Sequence, residues 1–247
     1  MHIAKTAGSY INEVVRRDLG DDKVFLHAEG RIGDHKSAGE LLDRGVKFIS
    51  GHIYYSNWKR IIEKLNTSFC YVTVIRPPIE HLASHILWLD HYNQPEYRDG
   101  YKMLPESVKR LVDLIGVTNL SDVGEVDRLM TNLPPTGMKY LDNCQSRYFL
   151  CGAEQPFSDV EPLTLAARFA LAKRLNDFDV VARQDILSQE IERINSTLGL
   201  KLTPLDERIN EAKSSRSLNL KNEYIRAILS KRVLLDNWLW QRVTSNH

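Results

Sequence analysis

Residues 69–75 read Phe-Cys-Tyr-Val-Thr-Val-Ile, and Arg76-Pro77-Pro78 follows directly. A near-continuous run of apolar and β-branched residues is what a strand needs when both of its faces are covered. The two prolines restrict their predecessors to extended backbone and suit the first turn of a helix. The stretch therefore predicts a central strand that ends at Arg76 and passes directly into a helix.

Further strands and helices are predicted on both sides of this stretch. Short β-rich runs occupy residues 23–27, 46–50 and 178–182. Apolar residues recur at helical spacing over 11–19, 82–89, 111–115 and 186–198, and Gly199 ends the last of these helices. The alternation predicts an α/β fold with a three-layer core, in which helices flank a mainly parallel central sheet.

The rest of the chain is predicted to be helical. Residues 92–137 contain more helix formers than strand formers and are interpreted as a helical insertion, with residues 133–137 as a turn. Residues 226–243 fit a terminal helix that closes the core, and a membrane-surface helix is the alternative. We expect one domain that covers residues 1–247.

Charge and cysteine content limit the classes of partner. The chain has 33 Lys and Arg against 32 Asp and Glu, a formal net charge of +1, which gives no general basis for binding nucleic acid. Any anion site must be local. Cys70, Cys144 and Cys151 are odd in number and lack metal-ligand spacing, which predicts buried thiols in a reducing compartment.

Localisation is predicted from what the sequence lacks. No apolar run reaches the ~18 to 20 residues that span a membrane, and no signal pattern begins the chain. We expect a soluble cytoplasmic protein, and the oligomeric state stays open.

The first candidate site lies at residues 2–10, His-Ile-Ala-Lys-Thr-Ala-Gly-Ser-Tyr, directly before a predicted helix. A lysine, a turn of small residues and a helix start form a local anion cradle, to which Thr6 and Ser9 add hydroxyl donors. The phosphate loop of nucleotide triphosphatases places its lysine after a second glycine, so an ATPase or GTPase is disfavoured. A lysine exposed in an ordinary turn is the alternative.

The second candidate site is Arg76 with Ser84. Arg76 lies at the carboxyl end of the predicted central strand, where ligands bind in open α/β sheets. Ser84 comes about two turns into the next helix. A guanidinium group binds phosphate through two parallel hydrogen bonds, which a hydroxyl can complete. The alternatives are a structural ion pair for Arg76 and a surface position for Ser84.

Two sets of histidines remain. His52 follows Gly51 at the end of the strand predicted at 46–50, and an unperturbed histidine is a suitable base near neutral pH. A structural role is its alternative. His81, His85 and His91 suggest a metal site, but only Asp90 offers a third ligand, so a solvated helix face is favoured.

Both phosphate-binding candidates resemble motifs of the carbohydrate sulfotransferases that use PAPS (3'-phosphoadenosine 5'-phosphosulfate). Residues 2–9 resemble their 5'-phosphosulfate loop, H-I-P-K-T-[AG]-G-[TS], with Ala4 where proline is usual. Arg76 and Ser84 have the spacing of R-D-P-x-x-R-x-x-S, in which Pro77 replaces the aspartate and His81 the second arginine. Residues 143–147 resemble the N-x-Q-[ST]-R signature, although capping of a neighbouring loop is nearly as good an interpretation.

The resemblance implies a P-loop-like core and transfer of the sulfuryl group from PAPS to a hydroxyl of a carbohydrate or glycan-like acceptor. In the uronyl 2-O-sulfotransferase branch a Gly-His pair carries the catalytic base, which corresponds to His52, while Lys5 would stabilise the departing PAP (adenosine 3',5'-bisphosphate). Asn143, Arg147 and His52 are the expected substrate contacts, and no metal is expected. The expected cosubstrate contacts are Lys5, Thr6, Ala7, Gly8, Ser9, Tyr10, Arg76, Ser84 and Arg147.

Two expectations qualify this interpretation. In that family an apolar strand precedes the loop, whereas here the first strand is largely missing, and we expect roughly 5 to 8 further apolar residues upstream in the stable form. A small-molecule kinase of related fold and a non-catalytic nucleotide-binding or scaffold protein are the alternative functions.

Overall fold

The computed structural model describes residues 1–205 and 216–245. These residues form two compact units. The first unit contains 1–76, 148–157 and 169–205, and the second contains 77–147, 158–168 and 216–245. The single domain expected from the sequence stays a prediction.

All four predicted strands are present in shortened form and alternate with helices, which confirms the α/β class. The strands are β1 Val24–Phe25, β2 Phe48–Ile49, β3 Val72–Ile75 and β4 Val180–Arg183. The helices are α1 Gly8–Leu19, α2 His35–Asp43, α3 Tyr55–Ile62, α4 Pro78–Asp90, α5 Arg98–Met103, α6 Glu106–Val117, α7 Val123–Thr131, α8 Pro135–Leu141, α9 Cys144–Leu150, α10 Arg168–Leu175, α11 Leu187–Leu198, α12 Glu223–Ser230 and α13 Leu234–Thr244.

The first unit contains two parallel strand pairs. Strand β1 pairs with β2, and β3 pairs with β4, with Val72 opposite Val180. The parallel orientation is as predicted, but in the described part of the chain no strand joins the two pairs into one sheet. The start of the chain lies between them, because the amino group of Met1 donates to the Val72 carbonyl at 2.9 Å and the His2 amide donates to the Gly51 carbonyl at 3.1 Å.

Each strand pair of the first unit shares an apolar core with two helices. Helices α1 and α11 pack with β3 and β4, where Val14, Val180 and Ile191 are almost completely buried. Helices α2 and α3 pack beside β1 and β2 through Leu41 and Trp58. The carboxyl ends of β2 and β3 lie beside residues 2–9, the N-terminal loop, which contacts Gly51 after β2 and Arg76 after β3.

The second unit is helical, as predicted for residues 92–137. The turn predicted at 133–137 is wrong from Pro135 onwards, because Pro134 is extended and Pro135 occupies the first turn of α8. The single terminal helix predicted at 226–243 is also wrong, since α12 and α13 are separate helices. None of the helices in the described ranges is long and apolar enough to cross a lipid bilayer.

Two burial predictions are wrong. Cys70 is exposed, because β3 begins only at Val72, whereas Cys144 and Cys151 are buried as predicted. His81 and His85 were expected on a solvated face but are only 1% exposed. Asp90, the one third ligand that the sequence offered beside these histidines, accepts a hydrogen bond on its carboxylate from Arg216 at 2.6 Å.

Candidate functional site

The N-terminal loop, residues 2–9, has a strained backbone directly before α1. Lys5 and Ala7 have positive φ angles of 66° and 71°, which cost a non-glycine residue about 1 to 3 kcal/mol each and cluster at ligand-binding sites. Ala7 precedes α1, and no side chain caps the helix there. The first turn of α1 also contains no acidic residue. The positive end of the helix dipole is therefore not neutralised by a side-chain cap or by an acidic residue of the first turn.

Two of the predicted cosubstrate contacts hold this loop in place through their side chains. The Thr6 hydroxyl is buried and donates to the Ile3 carbonyl at 2.8 Å. The Tyr10 hydroxyl accepts a hydrogen bond from the Leu205 amide at 2.8 Å. The Tyr10 N–H group donates to the Ala7 carbonyl at 3.0 Å, so any contribution of these two residues to an anion site comes from the backbone N–H group of Thr6.

Gly8 is required because the His2 ring lies against its α-carbon. A Cβ atom at position 8 would stand 1.8 Å from His2 Nε2 and 1.9 Å from Cδ2. Neither distance is compatible with non-bonded atoms. The single glycine of the loop thus lets the His2 ring cover the start of α1.

Lys5 and Arg76 are brought together in the first unit. The Arg76 guanidinium donates from Nη1 to the Lys5 carbonyl at 3.4 Å. Burial, and secondly the positive charge of Arg76, lower the pKa of the Lys5 ammonium group. Arg76 directly follows β3, so the predicted strand-end position of this residue is confirmed. Two neighbouring cations at an uncapped helix N-terminus are an arrangement that favours a group with more than one negative charge.

His52 lies against the beginning of the same loop. Its Nδ1 is 3.0 Å from the His2 carbonyl, and the two imidazole rings are 4.1 Å apart between centroids. A carbonyl oxygen only accepts hydrogen bonds, so Nδ1 carries the proton in this contact. The Nε2 atom of the exposed His52 ring is then the basic nitrogen.

Glu29 fixes the backbone that presents His52. Its carboxylate accepts a hydrogen bond from the His52 amide at 2.9 Å. A Cβ atom at Gly51 would stand 2.7 Å from the same carboxylate, so only glycine fits there. Burial raises the pKa of Glu29, but the backbone donors and the nearby histidines outweigh it and lower the pKa overall. Glu29 is therefore a carboxylate that positions the His52 loop.

His2 supplies a neutral neighbour for His52. Burial, and secondly the proximity of His52, lower the pKa of His2 to about 3. At neutral pH His2 is therefore uncharged, and its ring places no positive charge beside the His52 ring.

The loop, Arg76 and His52 are thus joined by direct contacts at the carboxyl ends of β2 and β3. No family model, curated protein or solved structure matched this chain.

The remaining predicted site residues lie in the second unit. Ser84 is half-buried in α4, which begins at the proline pair as predicted. Asn143 is buried, and its Oδ1 accepts hydrogen bonds from the Leu235 and Asp236 amides at the start of α13. Asn143 thus has the structural role that the sequence offered as the alternative, although it caps the helix α13 where capping of a loop was expected.

Arg147 has no exposed surface, and its guanidinium is surrounded by acceptors. It donates to the Asp142 carbonyl and carboxylate, both at 2.7 Å, and to the Ser158 and Glu161 carbonyls at 3.0 and 2.7 Å. These contacts favour a structural role, because a guanidinium that binds a ligand would have to abandon them. We therefore leave Asn143 and Arg147 out of the proposed site.

Sequence reasoning missed Glu29 and the packing role of His2. Glu29 follows the strand predicted at 23–27, so the rule that places ligand sites at the carboxyl ends of strands contained the signal. The contact of His2 with Gly8 had no such signal, because it depends on a left-handed turn at two non-glycine residues.

Proposed function

We propose that this protein is a PAPS-dependent sulfotransferase that acts on a hydroxyl of a carbohydrate or glycan-like acceptor. The observation that carries the proposal is the contact between Lys5 and Arg76 at the uncapped N-terminus of α1. Two adjacent cations repel one another, and a nucleotide whose two anionic groups bind one to each cation relieves that repulsion. The resemblance of both segments to sulfotransferase motifs supplies the identity of the anion.

The proposal assigns the 5'-phosphosulfate to Lys5 and the backbone N–H groups at the start of α1. It assigns the 3'-phosphate to Arg76. Lysine suits the first role because its compact charge can follow the bridging oxygen as charge develops there. Arginine suits the second because its fork matches two phosphate oxygens.

The reaction is an in-line displacement at sulfur. The acceptor oxygen forms a new S–O bond while the bond from sulfur to the oxygen of the 5'-phosphate breaks. The acceptor proton passes to Nε2 of His52, and the electron pair of the broken bond stays on PAP, where Lys5 stabilises it. His2 and Glu29 position the base and do not take part in bond changes.

The proposal includes a P-loop-like three-layer core. Both strand pairs of the first unit are parallel, and the loop leads directly into α1 in the order that a phosphate-binding loop requires. Helices α1, α11, α2 and α3 pack beside these pairs. Parallel strands with helices packed beside them support the proposed three-layer core, although the two strand pairs do not form one continuous sheet in the described residues.

The test is transfer of labelled sulfate from PAPS to a panel of glycans. We expect turnover by the wild type, a loss of about 10² to 10⁴-fold in His52→Ala and of about 10² to 10³-fold in Lys5→Ala. The exposed Lys47 and Arg60 provide the controls Lys47→Ala and Arg60→Ala, which should keep wild-type turnover. Unchanged turnover in both site variants would remove the mechanism.

Two other outcomes would favour the alternatives. Thermal stabilisation by ATP but not by PAPS or PAP would favour a small-molecule kinase. Binding of PAP without transfer to any glycan of the panel would favour a non-catalytic nucleotide-binding protein.

A further inference from the structure

Two buried histidines of α4 lie on one face of the helix. His81 and His85 are four residues apart, the spacing that places side chains one above the other on a helix. Their ring centroids are 5.0 Å apart, and each residue is 1% exposed. The pair therefore presents two imidazoles to the same point inside the second unit.

Cys144 brings a thiol to these rings from another helix. It is the first residue of α9 and is 6% exposed. One ligand atom from each of His81, His85 and Cys144 lies within 4.8 Å of the other two. No local sequence pattern indicated this third group, because Cys144 is 59 positions from His85 along the chain.

The backbone before Cys144 is held firmly. Asn143 has a positive φ of 45°, and its amide donates to the Arg232 carbonyl at 2.7 Å. Its side chain caps α13, as described above. The strained residue is therefore fixed on two sides, and the position of the thiol is set by the fold of the second unit.

Two aromatic side chains lie beside His85 in this cluster. The ring centroids of Trp88 and Tyr140 are 5.7 Å and 6.2 Å from the ring centroid of His85. The low dielectric of buried surroundings strengthens the attraction between a cation and a thiolate.

We propose that His81, His85 and Cys144 form a binding site for one zinc ion. Two imidazoles and a thiolate are ligands that suit Zn²⁺, and three protein ligands is the number found in sites where a non-protein ligand takes the fourth position. With Zn–N near 2.0 Å and Zn–S near 2.3 Å, ligand atoms lie roughly 3.5 Å apart. Binding therefore draws the three groups together by about 1 Å. The site is independent of the proposed sulfuryl transfer.

Cobalt(II) is the spectroscopic probe for this site. Reduced protein titrated with Co²⁺ should develop a thiolate-to-cobalt charge-transfer band that saturates at one ion per chain and disappears when Zn²⁺ is added. Cys144→Ser should abolish the band. His85→Gln should weaken metal binding about 100-fold or more, which is a larger loss than removal of a residue that only hydrogen-bonds to a metal ligand would cause. Cys70→Ser and His91→Gln are the matched controls and should behave as the wild type.

Absence of the band in the wild type, or its persistence in Cys144→Ser, overturns the site. Loss of the band in Cys70→Ser shows binding at the exposed thiol instead and also overturns it. X-ray absorption at the zinc edge of the wild-type protein gives a readout that does not depend on the folding of any variant. One sulfur and two imidazole ligands are expected, and a shell of nitrogen and oxygen alone contradicts the proposal.

Discussion

The Arg76 guanidinium donates a hydrogen bond to the carbonyl oxygen of Lys5. Arg76, which directly follows β3, thus holds the strained turn that carries the Lys5 ammonium group. Burial and this neighbouring charge lower the pKa of Lys5. The protein thereby holds two positive charges side by side, which costs electrostatic free energy. They lie at the N-terminus of a helix that no side chain caps. The following predictions test what that arrangement is for.

Sulfate ions should stabilise the protein through this pair of cations. A ligand present at ten times its dissociation constant raises the free energy of unfolding by about 1.4 kcal/mol. We expect sulfate to raise the thermal midpoint of the wild type more than that of Lys5→Met or Arg76→Met at equal ionic strength. Lys47→Met controls for the general stabilising effect of sulfate. Equal sulfate responses in all four proteins would exclude an anion site here.

Gly8→Ala should destabilise the protein through the His2 ring. The new methyl group would overlap with an imidazole 1.8 Å away, and overpacking of this kind costs about 1 to 3 kcal/mol. The double variant His2→Ala/Gly8→Ala should recover part of that loss in urea denaturation. Gly33→Ala is the control, because nothing lies within 4 Å of a Cβ atom there. Wild-type stability of Gly8→Ala would show that the ring is not held against the loop.

His2 should make stability depend on acid pH. Its pKa is about 3 in the folded protein and ~6.5 in an unfolded chain. Between these values the unfolded state binds more protons, so stability is complete above the unfolded pKa and falls as the pH drops towards 3. The loss is at most about 1.4 kcal/mol per pH unit. The difference in unfolding free energy between wild type and His2→Gln should follow this slope, and parallel pH curves for the two proteins would refute it.

Arg147→Met should lower stability rather than nucleotide affinity. Removing one partner of a buried ion pair leaves the Asp142 carboxylate without its main charge partner and costs about 3 to 5 kcal/mol. Urea denaturation measures this loss, and calorimetry measures the PAP affinity of the fraction that folds. A variant as stable as the wild type but weakened in PAP binding would contradict the structural role and return Arg147 to the site.

The strands and the first helix were predictable because their signals are local. The apolar run that ends at Ile75 and the proline pair after it define β3 and the start of α4 within a few residues. Gly199 ends α11 with a positive φ of 64°, as its type predicts. The turn between α12 and α13 was not predictable, since the apolar pattern continues across it. Tertiary contacts fix it instead, including the hydrogen bond from Arg232 to the Met130 carbonyl.

Residues of the candidate site were predictable mainly where a side chain suited to binding or catalysis follows the carboxyl end of a strand. Arg76 and His52 follow that rule, and direct contacts link both to the N-terminal loop. Lys5 was instead predictable from the small-residue turn that precedes α1. The burial of Arg147 and the approach of Cys144 to the histidines of α4 depend on packing between segments far apart in the chain. A charged residue in a motif can bind a ligand or form a structural ion pair with a carboxylate. The residue type is the same in both cases, so the sequence alone did not separate the binding role from the structural role.

Calorimetric titration with PAP tests the central claim most directly, because PAP carries both phosphates and needs no acceptor. We expect one site, weaker binding of adenosine 5'-monophosphate, and a loss of about 10-fold to 100-fold in both Lys5→Ala and Arg76→Ala, the size of one charge-assisted hydrogen bond. Lys47→Ala and Arg60→Ala should bind as the wild type does. Wild-type PAP affinity in both Lys5→Ala and Arg76→Ala, or no binding of PAP to the wild type, would contradict the account.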